Sequence, residues 1–493
     1  MLKALDPTVH PRSGATPAIA ALLSTLLPGL GQIAAGSTEQ GILIAIPMVT
    51  AVAAAVGLVV GGGLRVLGSL VTPAAIVSLL VINAVLGLYR AWAIVDAERT
   101  AQRRHAVPRG RRSKVLVAVL VLATIGFHGA VEAVGIQAQD TLGAVFLPGG
   151  GDGQWTIPSP SFETAAPTTA PSTTPGPSAA ATAVPTPTAG PGPAWAADGR
   201  LNILLIGGDA GPGRWSLRTD TMEILSVDVA SGRAALFGLP RNLLNVPLPP
   251  ESAGAVKNGL YPGLLNSLYV YASEHPDQFP GGDARGFRAV AGAIQQLIGV
   301  PLDGAVVVNL NGFVRLVDAI GGLWIQVPET IVDSHYPLEN GRGDIVLVIK
   351  SGCRHLDGHL ALGYARSRHM DSDYGRMGRQ QSVLVALAKQ VNPISILPRL
   401  SSLLSIAKDD LWTTFAVGDA TPIGVLLATV HPNEIQQTTF VPPATPEFLD
   451  AKAVKAIQTE VRDVFSSTPT SSPSPAPTPG PTPAPSAAPG QCG

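Results

Sequence analysis

The stretch Leu201-Asn-Ile-Leu-Leu-Ile-Gly-Gly-Asp209 opens the folded part of the chain: a short, mostly apolar run ends in two glycines and an aspartate. An apolar run of this length bounded by glycine predicts a buried β-strand over Leu201 to Ile206. Two further apolar runs follow at 222–229 and 233–239, and the residues between them, Ala-Ser-Gly, predict a hairpin turn. The stretch therefore predicts the first strand of a sheet inside a globular domain.

The rest of residues 201–465 alternates between strand-like and helix-like patterns. The expected strands lie at 304–309, 323–327 and 345–349, and the expected helices at 286–298, 312–319, 357–364 and 376–391. Such alternation predicts an α/β fold, with an α/β/α arrangement in which a central, mostly buried sheet is covered by helices on both faces.

A second stretch, residues 364–381, reads Tyr-Ala-Arg-Ser-Arg-His-Met-Asp-Ser-Asp-Tyr-Gly-Arg-Met-Gly-Arg-Gln-Gln and holds four arginines. Only 14% of the whole chain is charged, so this density calls for a cause. A helix capped by Asp357 is expected to fray near Arg366. In an extended exit segment Arg366 and Arg368 would share a face.

A second helix is expected to begin after residues 373–375. It would place Arg376, Arg379 and Gln380 on one face of its first turn, where unpaired NH groups and the helix dipole favour anions. Arginine binds phosphate oxygens through its planar fork, so we predict a polyanion site. The alternative is a solvated basic face paired with Asp371 and Asp373.

Charged residues also lie at the ends of the first three predicted strands, after the first and third and directly before the second, at positions expected to gather at one edge of the sheet. These residues are Asp209, Arg218, Asp220 and Arg241. Two carboxylates with phosphate oxygens and water suit magnesium, so Asp209 and Asp220 are candidate metal ligands. The alternative for each aspartate is a turn residue.

Four motifs in order resemble the LytR-CpsA-Psr family of bacterial envelope proteins: Gly-Gly-Asp209, Arg218-Thr-Asp220-Thr-Met, Leu-Pro-Arg241-Asn242 and the arginine stretch at 364–381. The resemblance implies a phosphotransferase that takes a glycopolymer from polyprenyl pyrophosphate and attaches it to peptidoglycan, using magnesium or manganese. It also implies an α/β/α fold with a long apolar pocket for the lipid.

Carried onto this chain, the resemblance implies that Asp209 and Asp220 hold the metal. The residues expected to act on the pyrophosphate are Arg218, Arg241, Arg366, Arg368, Arg376, Arg379 and Gln380. Asp373 is a candidate for orienting the attacking hydroxyl, and capping of the following helix is its alternative role. The positions considered for the lipid pocket are Val306, Val308, Phe313 and Leu316, for which ordinary core packing is the favoured expectation.

One position departs from the family pattern: the residue after Arg241 is commonly Asp, and here it is Asn242. An amide can hydrogen-bond a hydroxyl but cannot act as a carboxylate base. Two alternatives therefore stay open, a non-catalytic module that binds the lipid pyrophosphate and a pyrophosphatase that passes the phosphate to water.

Residues 1–140 contain three apolar stretches, at 40–60, 71–92 and 115–134, that approach or reach the roughly 20 residues needed to span a bilayer. The basic loop at 97–114 predicts a cytoplasmic position by the positive-inside rule, which places everything after 134 outside. We therefore expect a multi-pass membrane protein with an extracytoplasmic catalytic domain. A fourth apolar segment, 18–35, is interrupted at Pro28 and would span, re-enter or lie along the interface.

Composition predicts disordered segments on both sides of the domain, a Pro/Thr/Ser/Ala linker at 141–200 and a tail at 466–493. The net charge of −1 gives no case for nucleic-acid binding, and the expected partners are the lipid-linked glycan, peptidoglycan and the membrane. Cys353 and Cys492 are both expected outside the membrane, so either a disulfide or two free thiols is allowed.

Overall fold

A computed structural model describes residues 15–69, 72–105, 111–146, 194–208, 219–337, 343–368, 373–391, 397–466 and 492. The chain divides between Asp140 and Thr141 into two compact units. The helix Arg111–Val145 continues past this boundary, and the other elements fall within one unit or the other.

The N-terminal unit is helical, with α1 at Pro17–Leu26, α2 at Leu30–Ala34, α3 at Thr38–Ser69, α4 at Pro73–His105 and α5 at Arg111–Val145. By length and composition, α3, α4 and α5 are long and apolar enough to cross a membrane. The 18–35 segment forms α1 and α2, which are separated at Pro28 and Gly29. At 10 residues α1 is about 15 Å long, too short to span a bilayer.

The C-terminal unit is built on a six-stranded sheet with the strand order β11-β6-β1-β2-β3-β12. Its strands are β1 Arg200–Gly208, β2 Thr219–Asp228, β3 Ala234–Gly238, β6 Gly304–Asn309, β11 Leu411–Thr413 and β12 Gln436–Thr439. The pairs β1–β6 and β3–β12 are parallel and the other three are antiparallel, so the sheet is mixed. The predicted α/β fold with a central sheet is confirmed.

Within the described residues, three two-stranded sheets lie outside the central one. They are formed by β4 Val246–Pro247 with β5 Leu260–Tyr261, β7 Leu323–Val327 with β10 Gly352–Leu356, and β8 Ile331–Pro337 with β9 Asp344–Ile349. The helices of this unit are α6 Pro250–Ala253, α7 Leu268–Glu274, α8 Arg285–Ile298, α9 Leu310–Ile320, α10 Gly358–Arg366, α11 Asp373–Gln390, α12 Leu400–Asp410, α13 Ala420–Leu427 and α14 Ala451–Asp463.

Alternation along the strands gives the central sheet two different faces. Leu204 and Ile206 of β1 and Val307 of β6 pack into a core shared with α8 and α14. The residues between them, such as Leu205 and Val306, point to the opposite face, on the side of α9, α10 and α11. The helices α9, α10 and α11 share a second core with β7 to β10.

The two cysteines form a disulfide, with 5.8 Å between the Cα atoms of Cys353 and Cys492. Of the two arrangements left open by the sequence, the structure has the bonded one. The bridge fastens residue 492 to strand β10, 139 positions earlier in the chain.

Close packing of α10 on α9 requires a glycine, and a substitution there should be destabilising. A Cβ atom at Gly358 would lie 2.3 Å from the carbonyl oxygen of Val314. Gly358→Ala should therefore lower the free energy of unfolding by about 1–3 kcal/mol, through overpacking. The measurement is denaturant unfolding of the full chain in detergent.

Gly378→Ala on α11 is the matched control, because a Cβ atom there meets nothing within 4 Å. Replacing an exposed glycine inside a helix should instead raise stability, by about 0.5–1 kcal/mol. Equal effects of the two substitutions would contradict the packing argument.

Candidate functional site

A cavity of about 300 Å³ lies between the central sheet and the helices α9, α10 and α11. Its apolar lining includes Leu205, Val306, Val308, Phe313, Leu316, Val383, Leu384 and Leu387. Val306, Val308, Phe313 and Leu316 are half-buried and line this cavity. The expectation that these four residues are ordinary core was therefore wrong. Strand alternation places Val306 and Val308 on the cavity face of β6. Phe313 and Leu316 reach the same cavity from helix α9.

Polar and charged side chains line another part of the same cavity. They are Asp220, Asp333, Arg366, Arg368, Arg376 and Gln380. The cavity thus combines a hydrocarbon-like interior with a cluster of arginines, which we call the cationic mouth and define by Arg366, Arg368 and Arg376. It has the two chemistries that a lipid carrying phosphate groups requires.

The end of α10 sets the positions of the first two arginines. Asp357 caps α10 by accepting a hydrogen bond from the Leu360 amide at 2.8 Å, as predicted. The helix ends at Arg366, and Ser367 turns the backbone to an extended ψ of 139°. Arg366 and Arg368 then both reach the cavity, as the predicted extended exit segment requires.

In the described part of the chain, Arg366 has an unused hydrogen-bond donor that suits an anion. Its Nη1 atom is buried and has no hydrogen-bond partner among the described residues. The guanidinium carbon lies 5.8 Å from the ring centroid of Tyr336. This cation–π contact offsets part of the cost of removing the guanidinium group from water, but it accepts no hydrogen bond from the N–H groups. A buried neutral donor left without a hydrogen-bond partner costs about 1–3 kcal/mol, and a charged donor costs more. A bound anion would therefore stabilise this arrangement.

The first turn of α11 separates the three residues expected on one face. Arg376, which is buried, and Gln380 line the cavity. Arg379 instead donates from Nε to the Tyr364 carbonyl at 2.8 Å and from Nη2 to the Ser367 carbonyl. These carbonyls belong to the last turn and cap of α10, which α11 thereby holds in place. The structure thus gives Arg379 a contact that orients the chain segment carrying Arg366 and Arg368.

An ion pair links the ends of β2 and β3 beside the cavity. Arg241 Nη1 donates to Asp220 Oδ1 at 2.7 Å. Burial by itself would raise the pKa of Asp220, but the hydrogen bond and charge of Arg241 outweigh it. With further help from Arg376 and from a hydrogen bond to Asn266, they hold the pKa of this carboxyl below its usual range. Asp220 is therefore an anion at neutral pH.

Some predicted site residues lie outside the described part of the chain. Asp209 and Arg218 fall in the gap between 208 and 219, and the side chain of Asp373, the first residue of α11, is likewise not described. Their roles stay predictions. Within the described residues, no group of three or more His, Cys, Asp or Glu side chains is arranged to hold a metal ion. Asp220 lines the cavity and, as an anion, could supply one of the one or two carboxylates that magnesium takes beside phosphate oxygens.

Two acidic residues near the cavity were missed by the sequence analysis. Asp333 of β8 is buried and accepts hydrogen bonds from the Ser367 hydroxyl at 3.0 Å and from the Arg368 amide at 3.4 Å. It therefore fixes the exit of α10. The strand that holds Asp333 also contains serine and histidine, so the sequence does not show that this one polar side chain is buried.

Glu223 of β2 is the second, and it lines the cavity. Its carboxylate accepts a hydrogen bond from Gln381 Nε2 at 3.0 Å. The glycine opposite it on β3, Gly238, leaves room for this pair, since a Cβ atom there would lie 2.9 Å from Glu223 Oε1. Burial raises the pKa of Glu223 to about 8 and outweighs the opposing effect of Gln381, so the side chain is neutral at pH 7.

The fold and site define an α/β domain with an apolar cavity and a cationic mouth, on a chain whose described residues also form three helices long and apolar enough to cross a membrane. The LytR_cpsA_psr family matches residues 168–463, more than half of the chain. The chain belongs to the LytR-CpsA-Psr family.

Individual relatives are distant. The chain is 24% identical over 229 residues to Biofilm regulatory protein A of Streptococcus mutans, covering 45% of this chain and 51% of that protein. It is 24% identical over 215 residues to the polyisoprenyl-teichoic acid–peptidoglycan teichoic acid transferase TagU of Halalkalibacterium halodurans, covering 43% and 60%. The chain thus spans only about half to three-fifths of these relatives.

Among solved structures, Bacillus subtilis TagV is similar with a TM-score of 0.40 and 20% identity, covering 55% of this chain and 98% of TagV. The structure of TagT bound to LIIa-WTA has a TM-score of 0.37 and 18% identity, covering 54% of this chain and 91% of TagT.

Replacing Glu223 should change how stability depends on pH. The raised pKa means that between about pH 4.5 and 8 the folded state keeps a proton that the unfolded state releases. The free energy of unfolding therefore falls as pH rises through this window. At pH 8, Glu223→Gln should be more stable than wild type by about a few kcal/mol, because the variant does not have to keep this proton. At pH 4 the two proteins should have nearly equal stability, because the glutamate is then protonated in both the folded and the unfolded state.

The measurement is denaturant unfolding of the full chain in detergent from pH 4 to 9. Glu434→Gln removes the same charge from an exposed position and should not reproduce the difference. A stability gap that is the same at pH 4 and pH 8 would show that the effect is packing, not proton release.

Proposed function

We propose that this protein is a membrane-anchored phosphotransferase that moves a glycopolymer from polyprenyl pyrophosphate to peptidoglycan. The observation that carries the proposal is the cationic mouth on an apolar cavity, with Arg366 Nη1 buried and unsatisfied among the described residues. Membership of the LytR-CpsA-Psr family and the transferase names of its relatives support the same reaction.

The cavity suits a ligand that is apolar at one end and doubly anionic at the other. Hydrocarbon would lie against Val306, Val308 and Phe313, and the pyrophosphate would lie at the cationic mouth. Arg366 would donate to a phosphate oxygen through the N–H group that lacks a partner. Arginine can hold phosphate oxygens in pairs, which fixes the phosphorus as well as neutralising it.

For this reaction the protein must mainly neutralise charge and align the reacting groups. An acceptor hydroxyl attacks the phosphorus that bears the sugar, and polyprenyl phosphate leaves. Phosphoryl transfer needs neutralisation of the phosphate oxygens and in-line positioning more than covalent help from the protein. Arg366 and Arg376 would stabilise the charge on the leaving phosphate, and the Arg241–Asp220 pair would fix the opposite wall. Magnesium bound by Asp209 and Asp220 would add a further positive charge at the pyrophosphate.

The membrane helices support the choice of a lipid substrate. Three helices have the length and composition of membrane spans, so the domain is tethered to the surface where polyprenyl lipids reside. The basic run between Arg99 and Lys114 supports a cytoplasmic loop between α4 and α5. The catalytic domain would then work on the outer side, where peptidoglycan lies.

The test uses the full-length protein in detergent with a labelled polyprenyl-pyrophosphate saccharide, peptidoglycan fragments and magnesium. Arg366→Ala should reduce the saccharide–phosphate–peptidoglycan product about 100-fold, equivalent to about 2.7 kcal/mol of transition-state stabilisation. Arg366→Lys should recover part of the loss, because it restores the charge without the fork. The exposed Arg462→Ala is the control for loss of a positive charge.

Two results would contradict the transferase proposal. Tight binding of the lipid by wild type without transfer or hydrolysis would make the domain a lipid-glycan carrier. Release of phosphate to water without capture by peptidoglycan would make it a pyrophosphatase. Asp220→Ala or chelation of magnesium should abolish transfer and leave part of the lipid affinity intact.

A separate prediction concerns the apolar part of the cavity. Val308→Phe should narrow it and lower the affinity for a long polyprenyl pyrophosphate about tenfold, or ~1.4 kcal/mol. Affinity for inorganic pyrophosphate should stay unchanged. Val332→Phe, on the exposed outer side of β8, is the matched control. An equal loss for the lipid and for inorganic pyrophosphate would show that the substitution disturbs the cationic mouth rather than the hydrocarbon site.

A further inference from the structure

An exposed carboxylate, Glu447, lies beside Asn242, although the two residues are 205 positions apart in the chain. Asn242 Nδ2 donates to Glu447 Oε1 at 2.9 Å, and the Tyr374 hydroxyl donates to the same oxygen. The main chain is held as well, since the Leu244 amide donates to the Glu447 carbonyl at 2.8 Å. The loop after β12 thus brings a carboxylate to the position where Asn242 offers only an amide.

Both side-chain partners of Glu447 belong to segments that line or support the cavity mouth. Asn242 follows Arg241, which is paired with Asp220. Tyr374 lies in the first turn of α11, two residues before Arg376. Glu447 is therefore held between the end of β3 and the start of α11, the two segments that carry Arg241 and Arg376.

The geometry leaves one acceptor atom of Glu447 for an incoming group. Both donors bind Oε1, so Oε2 of Glu447 has no hydrogen-bond partner among the residues that the structure describes. The residue is exposed, so a ligand can approach it. A carboxylate oxygen accepts hydrogen bonds from hydroxyl groups, which a saccharide carries.

We propose that Glu447 is the catalytic base that accepts the proton of the attacking saccharide hydroxyl, an inference that rests on the proposed phosphotransferase function. The hydroxyl gives its proton to Oε2, and its oxygen forms a bond to the sugar-bearing phosphorus. The bond from that phosphorus to the polyprenyl phosphate oxygen breaks, and the leaving group keeps the electron pair. Because Glu447 is exposed, the proton then passes to solvent.

Other described carboxylates at the site are less suited to this role. Asp220 is held by Arg241 and stabilised as an anion, which makes it a weak proton acceptor. Asp333 accepts hydrogen bonds from Ser367 and the Arg368 amide, and it is buried. Glu447 combines a fixed orientation with an open oxygen and access to solvent.

The test compares Glu447→Gln with wild type in the full-length transfer assay described above. We expect kcat to fall about 100-fold, within the range for loss of a general base, and the affinity for the lipid pyrophosphate to change less than about twofold. The acid limb of the pH–rate profile should disappear. Glu447→Asp should retain part of the rate and the acid limb. Tyr374→Phe should have a smaller effect, because it removes one orienting hydrogen bond.

Glu434→Gln is the control, since it neutralises another exposed carboxylate on the same unit. If Glu447→Gln keeps the wild-type rate and pH profile, Glu447 is not the base. A loss of lipid affinity as large as the loss of rate would show a structural role and would also overturn the proposal. Failure of the proposed function is distinct, because wild type itself would then yield no product.

Discussion

Positive charge held in a partly buried position is the constraint on which this domain depends. Arg376 is 3% exposed, and Arg366 has a buried N–H group without a protein acceptor in the described chain. Bringing guanidinium groups out of water is unfavourable unless anions compensate for it. Among the described residues, Arg241 and Arg368 add two more positive charges near the mouth, and the aspartates there are Asp220 and Asp333. The excess of positive charge at the mouth fits a ligand that brings its own negative charge.

The arginines can be held this way because the helix ends are fixed by polar contacts to the backbone. Arg379 and Gln380 of α11 donate to carbonyls in the last turn and cap of α10, and Asp333 accepts from the residues that follow that turn. Each contact satisfies a group that a helix end would otherwise leave unpaired. The exit from α10 is therefore rigid, and the direction of Arg366 and Arg368 follows from it. Binding side chains positioned in advance lose less entropy when a ligand arrives.

Much of the fold could be predicted from short-range patterns. The apolar runs at 304–309 and 323–327 match β6 and β7 at both ends, and the Asp357 cap sets the start of α10 correctly. Patterns of this kind depend on neighbours in the chain. The edge strand β12 was missed because its sequence, Gln-Gln-Thr-Thr, has no apolar alternation and is held by pairing with β3.

The cavity could not be predicted for a related reason. Alternation in β6 shows that Val306 and Val307 face opposite sides of the sheet, but the pattern is the same whether a side is filled by a packed layer or left open. Whether this side of the sheet is filled or open depends on the path of α9, α10 and α11. The assignment of Val306 and Val308 to the core failed for that reason. The family resemblance proposed an apolar pocket, but strand periodicity alone does not distinguish its lining from a core.

The residues that the sequence analysis missed share one property: their partners lie far away along the chain. The burial of Glu223 is explained by its hydrogen bond with Gln381, 158 positions later in the chain. The position of Glu447 is explained by its hydrogen bond with Asn242, 205 positions earlier. A glutamate inside an apolar strand is a signal in itself, because burying it requires either a partner or a proton. Glu223 has both, since it is bonded to Gln381 and remains protonated at neutral pH. It lies three residues beyond Asp220 on β2, and both residues line the cavity. A neutral acid in this lining is compatible with apolar neighbours such as Leu205 and Val306, whereas an ionised one would oppose them.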